Sequence, residues 1–164
     1  MLIGSGGDSL VSDGLYAAEK LRRHHPEAFK ILTNAENYYW NKGVANFAWQ
    51  SNEFFKIARM PVLKLDNNKE VIQVAVNDAV RDSYLDLPAH EVKQFYEAMK
   101  IYNDILYENV VTYKLSEGDI LVLDNIRCLH GRLAFGDHST RHLEASYLNW
   151  DEARCHRRRL QEKL

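Results

Sequence analysis

The residues best equipped for chemistry lie in Gly118-Asp-Ile-Leu-Val-Leu-Asp-Asn-Ile-Arg-Cys-Leu-His-Gly-Arg132 and in Ser139-Thr-Arg-His-Leu-Glu-Ala-Ser-Tyr147. Ile120-Leu-Val-Leu123 is apolar at successive positions, which predicts a strand buried on both faces. That strand would deliver Asp124, Asn125, Arg127 and His130 at its end, with Gly131 letting the backbone turn closely beside the histidine. Eleven residues after His130 comes Arg141, on a returning strand predicted over about Thr140 to Leu148. A neutral imidazole and a fixed guanidinium on neighbouring strands could hold a metal ion and a carboxylate ligand side by side. The same two residues also read as a histidine satisfied by hydrogen bonds and an arginine paired with an acid, because short motifs recur by chance.

Strand parity constrains the second stretch. Arg141, Leu143, Ala145 and Tyr147 would share one face, and His142, Glu144 and Ser146 the other. An inward Arg141 therefore brings Tyr147 with it and turns His142 and Glu144 away. His142-Leu-Glu144, a His-x-Asp/Glu pattern, reads on this ground as a surface or interface pair. Cys128 reads as a small buried apolar residue and His24-His25 as a helix-end pair. Trp40 and Trp49 read as sheet core. Arg154, Arg157, Arg158, Arg159 and Lys163 form a basic tail, read as a solvated helix face or subunit contact rather than a nucleic-acid site.

Elements must position these groups. Leu15, Ala18 and Leu21 recur at helical spacing, with Ser12 or Asp13 able to cap the start. Pro26 suits the first turn of a second helix carrying Ala28, Phe29 and Leu32. Aromatic and β-branched texture from Tyr38 to Val76 predicts strands at 54–57, 62–65 and 71–76, the last two joined by a turn at Asp66-Asn-Asn-Lys69. After Pro88, helical period places Val92, Phe95, Tyr96, Met99, Tyr102 and Leu106 on one broad face. A strand is predicted at 110–114 and a basic helix from Trp150. The start, Met1-Leu-Ile-Gly-Ser-Gly-Gly-Asp8, reads as a strand end followed by a glycine-rich turn.

The chain has 164 residues, 46% hydrophobic and 27% charged, with a formal charge of -2. This composition suits one globular core and excludes disordered and fibrous classes. The charge supplies no basic field for nucleic acid or anionic membrane, and no apolar run is long enough to span a bilayer. Two cysteines, Cys128 and Cys155, make no disulfide framework and fit a reducing compartment.

Asp124-Asn-Ile-Arg-Cys-Leu-His-Gly-Arg132, the Arg-His-Leu-Glu of 141–144, and Tyr147 followed by Trp150-Asp151 together resemble a known family. It is the gamma-butyrobetaine and trimethyllysine dioxygenase branch of the TauD-type Fe(II)/2-oxoglutarate oxygenases. The resemblance extends through Asp13-Gly-Leu, Pro26-Glu-Ala-Phe29, the segment 76–82 and the helix from Pro88, and so covers essentially the whole chain. The His-Leu-Glu and Trp-Asp portions look more like the butyrobetaine enzymes.

The resemblance implies a mainly β fold with α insertions, built on a double-stranded β-helix (jelly-roll) core that is incomplete over 1–164. It implies Fe(II), 2-oxoglutarate as cosubstrate, O2, and ascorbate in support. It makes His130 the distal iron ligand and Arg141 the partner of the far carboxylate of 2-oxoglutarate. Asn77 and Tyr147 fall on substrate-contacting positions, Tyr147 as one wall of an aromatic cage around a trimethylammonium group, a fitting receptor for a cation without N–H. The implied substrate is a trimethylammonium carboxylic acid such as gamma-butyrobetaine, in carnitine biosynthesis. The implied assembly is a homodimer with no nucleic-acid or membrane partner, cytoplasmic, or mitochondrial if nearer the trimethyllysine enzymes.

The family's iron site is a facial triad of two histidines and one carboxylate, and its His-x-Asp pair lies upstream of the stretch that this chain's start resembles. Of the seven histidines, His24, His90, His130, His138 and His156 lack an Asp or Glu two residues on, and His25, with Glu27 two residues on, reads as one of a helix-end pair. Residues 1–164 are therefore expected to be the C-terminal part of such a catalytic domain. Alone, the chain is expected neither to hold Fe(II) at micromolar metal nor to couple 2-oxoglutarate decarboxylation to hydroxylation. The alternative is an inactive fragment or paralogue acting as a binding or oligomerisation module.

Overall fold

The structure is a computed structural model that describes residues 6–47, 50–135 and 142–162. Helix α1 (Gly14–His24) begins where the Asp13 carboxylate accepts the Tyr16 N–H at 3.2 Å, and it ends on Arg22, Arg23 and His24, which suit the negative end of the helix dipole. Pro26 opens α2 (Pro26–Asn34), where its missing N–H costs nothing. The long α3 (Ala89–Glu108) buries Phe95, Ala98, Met99, Tyr102, Ile105 and Leu106, the stripe that its period predicts, although Tyr96 lies at the exposed margin. Ala17, Ala18 and Leu21 of α1 and Ala28 and Leu32 of α2 close on this face.

Against the helices sits the hairpin β4 (Leu63–Leu65) and β5 (Val71–Val74), which adds Val62, Leu63, Val71 and Val74 to the core. Its turn forms at the expected residues. The Asp66 carboxylate accepts the N–H groups of Asn68 and Glu70, and Lys69 adopts the left-handed conformation at φ 68°. A second sheet has the order β3-β2-β6, from β2 (Glu36–Phe47), β3 (Gln50–Pro61) and β6 (Arg81–Leu85). A third places β1 (Ser9–Asp13) between β7 (Val111–Tyr113) and β8 (Cys128–Arg132). Among the described residues all the strand pairings are antiparallel. Sheets with interposed helices agree with the mainly β fold with α insertions expected from the sequence.

Several expectations are corrected. Residues 120–123 belong to no strand, and Ile120 and Val122 are 87% and 85% exposed. A strand needs a hydrogen-bonded neighbour, and among the described residues 120–123 take part in no strand pairing. The returning strand over Thr140 to Leu148 does not form over its described part: residues 142–149 are irregular, with Leu143 and Leu148 exposed. The parity that sorted Arg141 and Tyr147 from His142 and Glu144 has no strand to rest on there. At the start Gly6 and Gly7 take positive φ and lead into β1 at Ser9, and the strand end read before the glycine turn lies outside the described residues.

Strand β2 went unpredicted because aromatic, polar and glycine positions mix within it. In place its period is clear, since Asn37 and Tyr39 are buried while Trp40 is exposed. Trp40 is thus not core, and Trp49 lies outside the described residues. Helix α4 (Trp150–Gln161) forms at the expected position and buries no residue.

Candidate active site

His130 lies on β8, with Val11 of β1 opposite it. Its neighbour Leu129 packs on the core, while the His130 imidazole faces solvent. Because β8 is the outer strand of the order β7-β1-β8, one of its edges is unpaired among the described residues. Gly131 makes no tight turn: it is a strand residue opposite Leu10, and a Cβ there would meet nothing within 4 Å.

The residues before His130 form a braced turn. The Asp124 carbonyl accepts the N–H groups of Arg127 at 3.0 Å and Cys128 at 2.7 Å. The Asp124 carboxylate accepts the Ile126 N–H at 3.1 Å and the Trp150 indole N–H at 3.2 Å. The Ile126 carbonyl takes the Val74 N–H and the Arg127 carbonyl takes the Gly14 N–H, each at 3.0 Å. Arg127 then reaches back across the chain, its Nε donating to Asp13 at 3.1 Å and a terminal nitrogen at 2.5 Å. Asp124 and Arg127, which the sequence offers as site residues, therefore hold the turn that aims β8. Sequence reasoning missed this bracing. Asp13 as a cap candidate and Arg127 in the motif were visible, but not their meeting 114 positions apart.

The Arg127 hydrogen bond pulls the Asp13 carboxyl below its ordinary value of 3.8, against a smaller opposing effect of burial. A depressed carboxyl pKa adds stability above about pH 3.8, lost as the pH falls through the folded-state value. Asp13→Asn keeps a good helix cap but removes the charge. We expect the variant to be less stable than the parent at pH 5 to 7, and the difference to vanish toward pH 2. Urea midpoints measured across that range check it, and an unchanged gap at low pH would remove the ion pair as its cause.

Asn77 sits between β5 and β6. Its side-chain oxygen accepts the Ala79 N–H at 3.1 Å, and its carbonyl accepts the N–H groups of Val80 and Arg81. Arg81, its side chain only 11% exposed, anchors this turn through Asp78 at 3.0 Å and the Tyr96 hydroxyl at 3.5 Å. Nearby, the buried Tyr39 hydroxyl donates to the Ala75 carbonyl at 2.8 Å, and burial pushes its pKa up to about 12. Tyr147 lies in the irregular segment before α4 and is 80% exposed. Among the described residues no hydrogen bond or ring contact joins His130, Asn77 and Tyr147. Arg141 lies outside the described residues.

His142 and Glu144 do meet, at 3.3 Å, as an exposed pair. Cys128 is half-buried, and desolvation raises its thiol pKa. Among the described residues no group of three His, Cys, Asp or Glu side chains is placed to hold a metal ion. His130 is a sound imidazole donor, but one donor does not make a facial triad. The described residues alone therefore do not fit an iron centre. No described helix is long and apolar enough to cross a membrane.

Comparison with known proteins bears directly on this arrangement. The chain is 33% identical to human (Homo sapiens) gamma-butyrobetaine dioxygenase over 98% of its own length and 41% of that protein's. It is 34% identical to a trimethyllysine dioxygenase of Meyerozyma guilliermondii, over 91% of the chain and 36% of the relative. A mitochondrial trimethyllysine dioxygenase of Rattus norvegicus is 31% identical over 91% of the chain and 35% of its own length. The chain thus spans about two-fifths of the length of the curated relatives it matches. The family described as taurine catabolism dioxygenase TauD, TfdA matches residues 3–147, a span holding β1 through β8 and all four residues singled out for the site. The chain belongs to the TauD, TfdA dioxygenase family.

Proposed function

We propose that residues 1–164 form the C-terminal part of the catalytic domain of a 2-oxoglutarate-dependent dioxygenase, contributing to a jelly-roll core. The reaction is hydroxylation of a trimethylammonium carboxylic acid such as gamma-butyrobetaine. The observation that carries this reading is the Asp124–Arg132 element, with its braced turn and His130 on β8, in a chain aligned with butyrobetaine dioxygenase over 98% of its length. His130 offers one imidazole to iron, and the remaining ligands are not among the described residues. Arg141 pairs with the far carboxylate of 2-oxoglutarate, for which a planar guanidinium is better suited than an ammonium. Asn77 and Tyr147 contact the substrate, Tyr147 presenting its ring to the quaternary ammonium. Bound iron would activate O2, the oxidant, with 2-oxoglutarate oxidised to succinate and CO2 and ascorbate in support, while the protein's task is to position the carbon to be hydroxylated. The working unit is a homodimer, cytoplasmic, or mitochondrial if nearer the trimethyllysine enzymes, without nucleic-acid or membrane partners.

A chimera tests this. The chain replaces the aligned C-terminal region of human gamma-butyrobetaine dioxygenase, and succinate and hydroxylated product are measured. A folded chimera should form both in step. Arg141→Lys in it should raise the 2-oxoglutarate requirement by roughly tenfold or more, because a two-pronged contact becomes a point charge. A cooperatively folding chimera without turnover would overturn the reading. It would favour the second one, an inactive binding or oligomerisation module, which the lack of a three-ligand cluster among the described residues supports.

A further inference from the structure

The register of the sheet β7-β1-β8 sorts the side chains around His130 into rows. Residues directly opposite one another in antiparallel strands share a face, as do alternate residues of one strand. His130, Val11 and Val111 therefore form one row. Arg132, Ser9 and Tyr113 form the next row on the same face, about 7 Å further along the strands. Leu129, between Cys128 and His130 on β8, points the other way and packs on the core.

The two rows differ in chemistry. Beside the imidazole the first offers two valines. The second sets a guanidinium and a phenol on either side of a hydroxyl, with neighbouring strand positions about 5 Å apart. Arg and Tyr side chains are long enough to lean over Ser9 from both sides. Among the described residues these three side chains make no hydrogen bond or ion pair with one another or with any other group. Arg132 does lie over the Phe135 ring, 4.0 Å from its centroid. Stacking of that kind fixes the guanidinium plane and leaves its N–H edges free. The one acid on this face of the three strands is Asp13, at the far end opposite Cys128, and Arg127 already holds it.

We propose that Arg132, Ser9 and Tyr113 form a carboxylate site, and that its ligand is the far carboxylate of 2-oxoglutarate. The carboxylate lies above Ser9, taking N–H groups of Arg132 on one side and the Tyr113 hydroxyl on the other. A single guanidinium balances the single charge of a carboxylate, whereas a phosphate dianion would ask for more. Val11 gives the methylene groups an apolar footing, and the keto acid end points along the sheet toward the His130 row. Arg132 is thus a second guanidinium for the group assigned above to Arg141. The inference rests on the proposed function for the identity of the ligand, and on the register alone for the site.

Titration of the metal-free full chain with 2-oxoglutarate, followed by NMR at constant ionic strength, tests the site without turnover. Saturable shifts should appear at the Arg132 Nε–H and at the Ser9 and Tyr113 amides. The dimethyl ester of 2-oxoglutarate, which carries neither charge, should not produce them. Gamma-butyrobetaine, the other source of a carboxylate, should produce them only at several-fold higher concentration, because its cation approaches the guanidinium. Arg132→Gln should weaken 2-oxoglutarate binding by roughly tenfold or more, since the charge-assisted bonds are lost, and Tyr113→Phe by a few-fold. Both side chains are on the exposed side of the sheet, so circular dichroism of the variants should match the parent. Absence of saturable shifts in this row would overturn the proposal. So would equal shifts with the ester or with gamma-butyrobetaine, or a folded Arg132→Gln that binds like the parent. The expected shifts in a chain whose chimera forms no product would uphold the site and remove the catalytic reading. Turnover in the chimera without these shifts would do the reverse.

Discussion

Gly14→Ala should destabilise the protein by about 3 kcal/mol, the upper end for one methyl forced into a packed site. Gly14 opens α1 inside a tight corner. A Cβ there would lie 2.6 Å from the Val74 methyl, 2.8 Å from the Arg127 carbonyl oxygen and 3.3 Å from the Tyr102 hydroxyl. None of these can yield cheaply. Val74 is buried, and its N–H is bonded to Ile126. The Arg127 carbonyl is bonded to Gly14 itself. Tyr102 is fully buried, with its hydroxyl on the Gly14 carbonyl at 2.9 Å. Relief would push the 124–127 turn outward, and β8 with His130 begins at the next residue. For a chain of this size the midpoint of thermal unfolding should fall by roughly 6–12 °C. Gly131→Ala is the control: with open space around it, it should change stability by less than about 0.5 kcal/mol. Equal effects at the two glycines would show that the corner is not tight.

Phe95→Ala should cost still more, about 3–5 kcal/mol, from lost burial and the cavity left behind. Phe95 is fully buried on α3, edge-on to Tyr96 with ring centroids 5.5 Å apart. The Arg81 guanidinium lies 5.8 Å from its ring. The loss would be a large share of the 5–15 kcal/mol typical of a folded domain. It also unseats Arg81, which anchors the turn presenting Asn77. Urea titration gives the number. Phe95→Leu, which refills part of the volume, should recover much of the loss. A cost below about 1 kcal/mol for Phe95→Ala would mean that the α3 face is not the centre of the core.

The site was legible where its signals were local. The Asp124–Arg132 element could be read directly, and with it the family. Its internal division of labour could not. Asp124 and Arg127 have the right chemistry for ligand binding, yet their partners are Trp150 and Asp13, brought near only when α4 and β1 are in place. The His142–Glu144 pair was rightly read as a surface pair, but from a strand parity that the irregular backbone there does not support.

Short-range sequence alone determined the helices and the tight turn. Asp13 caps α1, Pro26 starts α2, and an apolar residue every three or four positions drives α3 into the core. Asp66 closes the β4–β5 turn with its own carboxylate. In each case the stabilising partner lies within a few residues, so the information is in the neighbourhood. Strands are different, because their hydrogen bonds go to segments far along the chain and their apparent propensity is set by what packs on them. Ile120–Leu123 is as β-prone as any run in the chain and pairs with no described strand. Glu36–Phe47 mixes polar, aromatic and glycine residues and becomes half of the longest ribbon. Tertiary structure decided which face of β2 went inward, burying Tyr39 and leaving Trp40 out, because the segment after β5 meets the Tyr39 face, where the Ala75 carbonyl takes the Tyr39 hydroxyl.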